Sequence, residues 1–310
     1  MSRSTISTFQ LFAMFPDEET ARTYLEGRIW PDGPVCPDCH TQTSITTRKN
    51  GYYRCNPCKL DFTVRTGTVM ERSHVPLHKW LYAMYLLVTA RKGISSLQLA
   101  KEIGITQKSA WFVLGRLREA CGGDGPGGGL EKLRGEVEID ECFVGGLESN
   151  KHEHKKLHAG RGPVGKVAVL GMRERGGRTW AKPITDRTLD NIHGEIHGRV
   201  EVGTQLYTDD HICFSDLDGL FYKHDVVNHA GGEYARGPAS TNSIESVWAV
   251  LKRGLHGVYH HASPKHLHRY VDEFTFRLND GNVANHTTKR LDSFVDGCVG
   301  KRLTYRRLIA

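Results

Sequence analysis

The sequence predicts a multidomain chain: a small, cysteine-bearing, α-rich N-terminal half and then a larger α/β domain. Three observations carry this. Four cysteines stand in two C-x-x-C pairs, Cys36/Cys39 and Cys55/Cys58. A glycine-rich tract runs from Gly122 to Gly129. Beyond it, segments with the two-residue alternation of strands give way to segments with helical periodicity, the order of a sheet followed by helices. At 310 residues the chain has room for two or three domains, at least one with a sizeable core.

Charge and composition narrow the class. The net charge is +7, and the first 120 residues hold 16 Lys/Arg against 10 Asp/Glu. Lys301, Arg302, Arg306 and Arg307 form a second basic cluster. Such a balance suits a polyanion partner and equally serves solubility. The longest apolar run, Trp80 to Ala90, is too short to span a bilayer, and MSRSTISTFQ contains no apolar signal core. The expectation is a cytoplasmic protein, associated with the nucleoid, without a membrane partner. Eight cysteines in that compartment argue against a disulfide framework.

Along the chain, Pro16-Asp17-Glu18-Glu19 reads as a helix start, with acids at the positive end of the dipole. Fifteen residues separate the two C-x-x-C knuckles. Each knuckle puts two thiolates on one turn, and two facing turns complete a tetrahedral zinc site with no open position. One structural zinc ion is therefore expected on Cys36, Cys39, Cys55 and Cys58, in a zinc ribbon. Redox dithiols would need a βαβ setting that the flanking sequence lacks.

Residues 95–113 read as two short helices about a turn. Ser95 or Ser96 caps the first, Gly104 makes the turn and Thr106 caps the second. As a helix-turn-helix, this unit would present Gln107, Lys108 and Ser109 to a DNA major groove. A generic helix hairpin is the plain alternative.

After the glycine tract, Glu136 to Asp140 alternates as a half-buried strand. Lys166–Leu170 is a second strand, Arg175–Arg178 a tight turn into a third, and Gln205–Asp209 and Asp225–Asn228 are two more. Asp140 and Asp209 stand at predicted strand ends. From Ser243 the period becomes helical: Ile244, Val247, Trp248, Leu251 and Leu255 form one apolar stripe, with Asn242, Glu245, Lys252 and His256 on another face. A helix packing that stripe on a sheet could bring Glu245 to Asp140 and Asp209. Three carboxylates so gathered would bind two Mg²⁺ or Mn²⁺ ions, an arrangement suited to phosphoryl transfer. Glu141 and Asp210 adjoin two of these acids, and a shift of one residue in register would exchange them. The basic loop holding Lys155 and Lys156 reads as a DNA contact or as a solvated charge run.

The stretches VEIDECFVGG, YTDD and TNSIESVWAVLKRGLHGVYHHASPKHLHRYVDEFTFRLN resemble bacterial zinc-ribbon insertion-sequence transposases of the ISXO-like group. The ribbon, the helix-turn-helix and the ending RLTYRRLIA follow in the same order. The resemblance implies an RNase H-like domain with an Asp-Asp-Glu site: Asp140, Asp209 and, third, Glu245. The group varies between Glu and Asn at the third position. Glu245 is chosen here because 35 residues separate it from Asp209 and a carboxylate holds a cation better than an amide; Asn242 is the auxiliary candidate. Lys252 matches a lysine that accompanies the set and, with Arg253, would contact DNA phosphate.

The expected segments are a helical segment at 1–32, the ribbon at 33–70 and the helix-turn-helix region at 71–121. The linker at 122–129, the RNase H-like domain at 130–280 and a basic tail at 281–310 follow. The expected partners are double-stranded DNA, as element ends and target, and further copies of the chain in a dimer or higher assembly. The rival readings are a non-catalytic DNA-binding regulator and a nuclease that cuts without joining.

Overall fold

The computed structural model describes residues 5–122, 131–158, 162–220, 222–228, 231–233 and 235–310. Apart from Gly122, the predicted glycine linker lies outside them, as does Arg161. The chain forms two compact units, one of residues 1–128 with 280–310 and one of residues 129–279.

The first unit is mostly helical and includes a small sheet. Helix α1 (Thr8–Met14) opens with a capping box in which Ser7 and Gln10 satisfy each other's backbone N–H. Helix α2 (Glu18–Ile29) is capped by Asp17, which accepts from the Thr20 N–H. Three short antiparallel strands follow, β1 (Ile45–Thr47), β2 (Tyr53–Cys55) and β3 (Leu60–Phe62). Helix α3 (Leu77–Thr89) is buried on nearly every side, with Trp80, Leu81, Met84 and Leu87 wholly enclosed.

Helices α4 (Ser96–Ile103) and α5 (Gln107–Cys121) meet at Gly104, whose φ of 65° turns the chain sharply. Ser95 caps α4 and Thr106 caps α5, each through its side-chain oxygen.

The last thirty residues belong to this unit and are largely structured. Helix α9 (Thr287–Asp296) buries Arg290, whose guanidinium donates to the Val88 carbonyl of α3 at 2.7 Å. Tyr24 of α2 donates to Asp292 at 2.6 Å. Helix α10 (Tyr305–Ile309) lays Leu308 against Gly115 of α5, where an added Cβ would sit 2.9 Å from the leucine.

The second unit is a five-stranded mixed sheet: β4 (Glu136–Val144), β5 (Val167–Glu174), β6 (Thr179–Ile184), β7 (Gln205–Asp209) and β8 (Lys223–Val227). Across the sheet the order is β6-β5-β4-β7-β8. Strands β4, β5 and β6 pair antiparallel, while β4–β7 and β7–β8 are parallel.

Strand β4 continues past Asp140, where the sequence reading ended it, to Val144. Its pairing with β5 persists from Asp140↔Gly171 to Val144↔Val167, so those backbone groups are satisfied in the sheet.

The two sheet faces carry separate cores. Helix α6 (Leu189–Arg199) covers Val137, Ile139, Leu170, Met172 and Leu206 with Ile192 and Ile196. Helices α7 (Asn242–Gly254) and α8 (Pro264–Leu278) cover Cys142, Val169 and Ala181 with Ile244, Trp248, Leu251 and Phe274. Asn279 fastens the end of α8 to β6, exchanging two 2.8 Å hydrogen bonds with the Thr179 backbone. Among the described residues, no helix is long and apolar enough to cross a membrane.

Candidate functional site

The four cysteines converge. Cys36 and Cys39 lie on the loop after α2, Cys55 ends β2, and Cys58 stands on the turn into β3. Their sulfurs all lie within 4.8 Å of one another, with Cys39 and Cys55 3.6 Å apart. Zinc–thiolate bonds of about 2.3 Å in a tetrahedron require sulfur spacings of about 3.8 Å, so the set fits one zinc ion. Trp30, Tyr53 and Phe62 pack edge-on or stacked beside it and exclude water from Cys36 and Cys55.

At the start of α5, Gln107, Lys108 and Ser109 are exposed. Gln107 donates to the Ser96 hydroxyl at 2.8 Å, tying the two helices. Lys108 Nζ lies 5.1 Å above the Tyr305 ring of α10. In the loop after β4, Lys155 is exposed and Lys156 is paired with Glu153 at 2.6 Å.

Alternation along β4 sends Val137 and Ile139 to the α6 face and Glu138, Asp140 and Cys142 to the α7 face. On β7, Leu206 takes the α6 face, leaving Tyr207 and Asp209 on the other. Strands β4 and β7 pair Glu136↔Gln205 through Glu138↔Tyr207. Asp140 and Asp209 each stand two residues beyond the last of these pairs and on the same face as it. The Trp248 indole N–H donates to Asp140 Oδ2 at 2.9 Å, and the His211 N–H donates to Asp209 Oδ1 at 3.2 Å.

Glu245 stands in the first turn of α7, three residues before Trp248, and accepts from the Thr241 hydroxyl at 3.0 Å. Asn242 opens the same helix; both side chains are exposed, as are Lys252 and Arg253 near its end. Charges meet at Cys142: burial pushes its thiol up to about 12, Lys252 pulls it down, and Asp140 raises it. Cys213 is likewise pushed up to about 11, first by burial, with Arg187 opposing and Asp209 and Asp140 adding.

Glu141 projects to the α6 side, opposite Asp140. There it pairs with Arg187, which also lies 2.8 Å from His211 Nε2. Donor atoms of Glu141, His211 and Cys213 lie within 4.8 Å of one another, but the Arg187 guanidinium already supplies their positive charge. Asp210 follows the end of β7 and is exposed.

The sequence reading passed over Glu138. This carboxylate is 1% exposed and accepts from the Ser243 and Ile244 N–H groups at 2.7 and 3.0 Å, capping α7, and from Arg175 at 2.8 Å. An acid two residues before Asp140 in an alternating strand shares its face, which was the available signal.

Comparison with known proteins agrees with this organisation. Residues 132–279 match the model of the ISXO2-like transposase domain, and residues 16–61 match that of the transposase zinc-ribbon domain. An uncharacterized protein in transposable element ISH50 of Halobacterium salinarum is 29% identical, over 78% of this chain and 84% of that relative. The chain thus carries, in this order, a transposase zinc-ribbon domain and an ISXO2-like transposase domain.

Proposed function

We propose that this chain is an active DNA transposase whose site is Asp140, Asp209 and Glu245. The observation that carries the reading is the shared face: Asp140 and Asp209 each follow by two residues the parallel pair Glu138↔Tyr207, and Trp248 of the helix that bears Glu245 donates to Asp140. The sheet order, three antiparallel strands and then two parallel ones, supports an RNase H-like fold. The family match supports the element context.

The donor set is three carboxylates, hard oxygen ligands suited to Mg²⁺ or Mn²⁺. Two such ions would activate an attacking oxygen and stabilise a leaving one. The chain's own part is to hold the acids still. Trp248 fixes the Asp140 carboxylate, the His211 backbone fixes Asp209, and Thr241 fixes Glu245. Asn242 stands one turn from Glu245 as an auxiliary ligand, and Lys252 and Arg253 face DNA phosphate.

Cleavage frees a 3′-OH at the element end. That hydroxyl then attacks a target phosphodiester, forming one P–O bond as another breaks. The zinc ribbon and the α4–α5 helix-turn-helix bind the terminal repeats, with Gln107, Lys108 and Ser109 at base edges and Lys155 and Lys156 on backbone. Joining two ends calls for at least two copies of the chain.

The test is a strand-transfer assay on labelled terminal-repeat DNA with Mg²⁺ or Mn²⁺. Joined products are expected from the wild type and not from Asp140→Ala, Asp209→Ala or Glu245→Ala. Cutting without joining would make the chain a nuclease. DNA binding with neither step would make it a regulator.

A further inference from the structure

Arg175 stands on the tight turn between β5 and β6, outside the carboxylate site, yet it touches both strands that carry the aspartates and the segment that leads into α7. Its Nε donates to Glu138 Oε1 on β4 at 2.8 Å. Its Nη2 reaches Ser240 at the entry to α7, 3.2 Å from the carbonyl and 3.0 Å from the hydroxyl. Its guanidinium carbon lies 4.2 Å from the centroid of the Tyr207 ring on β7. The turn itself is anchored, since the Arg175 N–H donates to the Glu136 carbonyl at 2.9 Å.

The spacing of these contacts is regular. Glu138 and Tyr207 are direct partners in the β4–β7 register. Each precedes an acid of the proposed site by two residues and therefore shares its face. Ser240 precedes Glu245 by five residues. Glu138 adds a second tie, because its other oxygen takes the first N–H groups of α7. A carboxylate there is favoured by the helix dipole, and its burial demands a cationic partner. Only a planar fork of several donors can pair with Glu138, reach Ser240 and stack on Tyr207 at once; a lysine, a point charge, cannot.

We propose that Arg175, acting through Glu138 and Tyr207, is a positioning residue that sets the spacing of Asp140, Asp209 and Glu245 and so their affinity for divalent cations. The inference rests on the assignment of those three acids. Displacing supports of this kind costs about 10–100-fold in metal affinity or activity.

The experiment uses the full chain with Arg175→Met, Arg175→Lys and Glu138→Gln, with Asp140→Asn as reference. Mn²⁺ affinity without DNA is read by electron paramagnetic resonance, folding by thermal unfolding, and kcat and KM for terminal-repeat DNA by strand transfer. Arg175→Met and Arg175→Lys are expected to lose about 10–100-fold in Mn²⁺ affinity. Their kcat should fall while KM for DNA holds, and excess Mn²⁺ should restore part of the rate. Glu138→Gln keeps an oxygen for the α7 N–H groups but turns an amide toward Arg175, and is expected to show the same loss.

Should Arg175→Met not fold, the lysine variant decides. Wild-type Mn²⁺ affinity and kcat in folded Arg175 variants would overturn the positioning role, even with a lowered melting temperature. If Asp140→Asn loses Mn²⁺ while those variants keep it, the site stands and the role of Arg175 falls. A wild type that neither binds Mn²⁺ nor processes DNA would overturn the site assignment itself, and this inference with it.

Discussion

The Trp248 indole reaches Asp140 because Gly171 lies beneath it. Gly171 is the β5 residue paired with Asp140, and a Cβ built there would stand 2.3 and 2.5 Å from two atoms of the Trp248 ring. Gly171→Ala must therefore displace the indole from a packed core, at a cost of about 1–3 kcal/mol. Thermal unfolding reads that loss, and an unchanged melting temperature would show that the ring relocates freely. Trp248→Phe keeps most of the packing and removes the donor. It is expected to lower the rate of strand transfer more than the melting temperature.

Truncating each side chain separates the candidates on α7. Glu245→Ala is expected to abolish cutting and joining, and Asn242→Ala to slow them only. Gel analysis of labelled terminal-repeat DNA distinguishes them. The reverse pattern would transfer the third ligand to Asn242.

Zinc should be bound one per chain. Cys36→Ser or Cys55→Ser, both at buried sulfurs, is expected to release the metal and unfold the ribbon. Atomic absorption gives the stoichiometry, and proteolysis of the first seventy residues reports the unfolding. Metal retained by both variants would contradict the four-thiolate site.

The start of α5 depends on one hydroxyl. Thr106 accepts from the Ser109 N–H at 3.2 Å, and Thr106→Ala is expected to cost about 1 kcal/mol. Terminal-repeat DNA should then bind more weakly in a fluorescence anisotropy titration, because the exposed residues 107–109 lie in the frayed turn. Unaltered affinity would remove this turn from the DNA surface.

Stability should depend on His224. Burial holds this imidazole below its ordinary value of 6.5, with the Thr208 hydroxyl 2.8 Å from Nε2. The unfolded chain therefore takes up the proton first as the pH falls. The contribution of the group is complete above 6.5 and is lost as the pH drops through the lower folded value. Melting temperatures at about pH 8 and about pH 5 should differ less in His224→Asn than in the wild type. Equal differences would assign the acid sensitivity elsewhere.

What the sequence determined by itself was local. Two C-x-x-C spacings suffice for the thiolate turns, because each knuckle is made within four residues. Ser95, Gly104 and Thr106 specify helix ends through bonds to backbone three or four residues away. The stripe from Ile244 to Leu255 states which side of α7 is apolar.

Tertiary structure decided everything that depends on a distant partner. Alternation says that Asp140 and Glu141 point oppositely, but only the placement of α6 and α7 tells which one meets Trp248. The extension of β4 to Val144 depends on β5, and the parallel pairing of Glu138 with Tyr207, two residues before Asp140 and Asp209, depends on sheet order. Residues 281–310 read as a basic tail; their folding with the N-terminal unit rests on contacts such as Arg290 with Val88, 202 positions apart. Arg175 is the clearest case. Nothing within its own turn marks it, since its partners on β4, on β7 and at the entry to α7 are assembled only when the sheet closes around them.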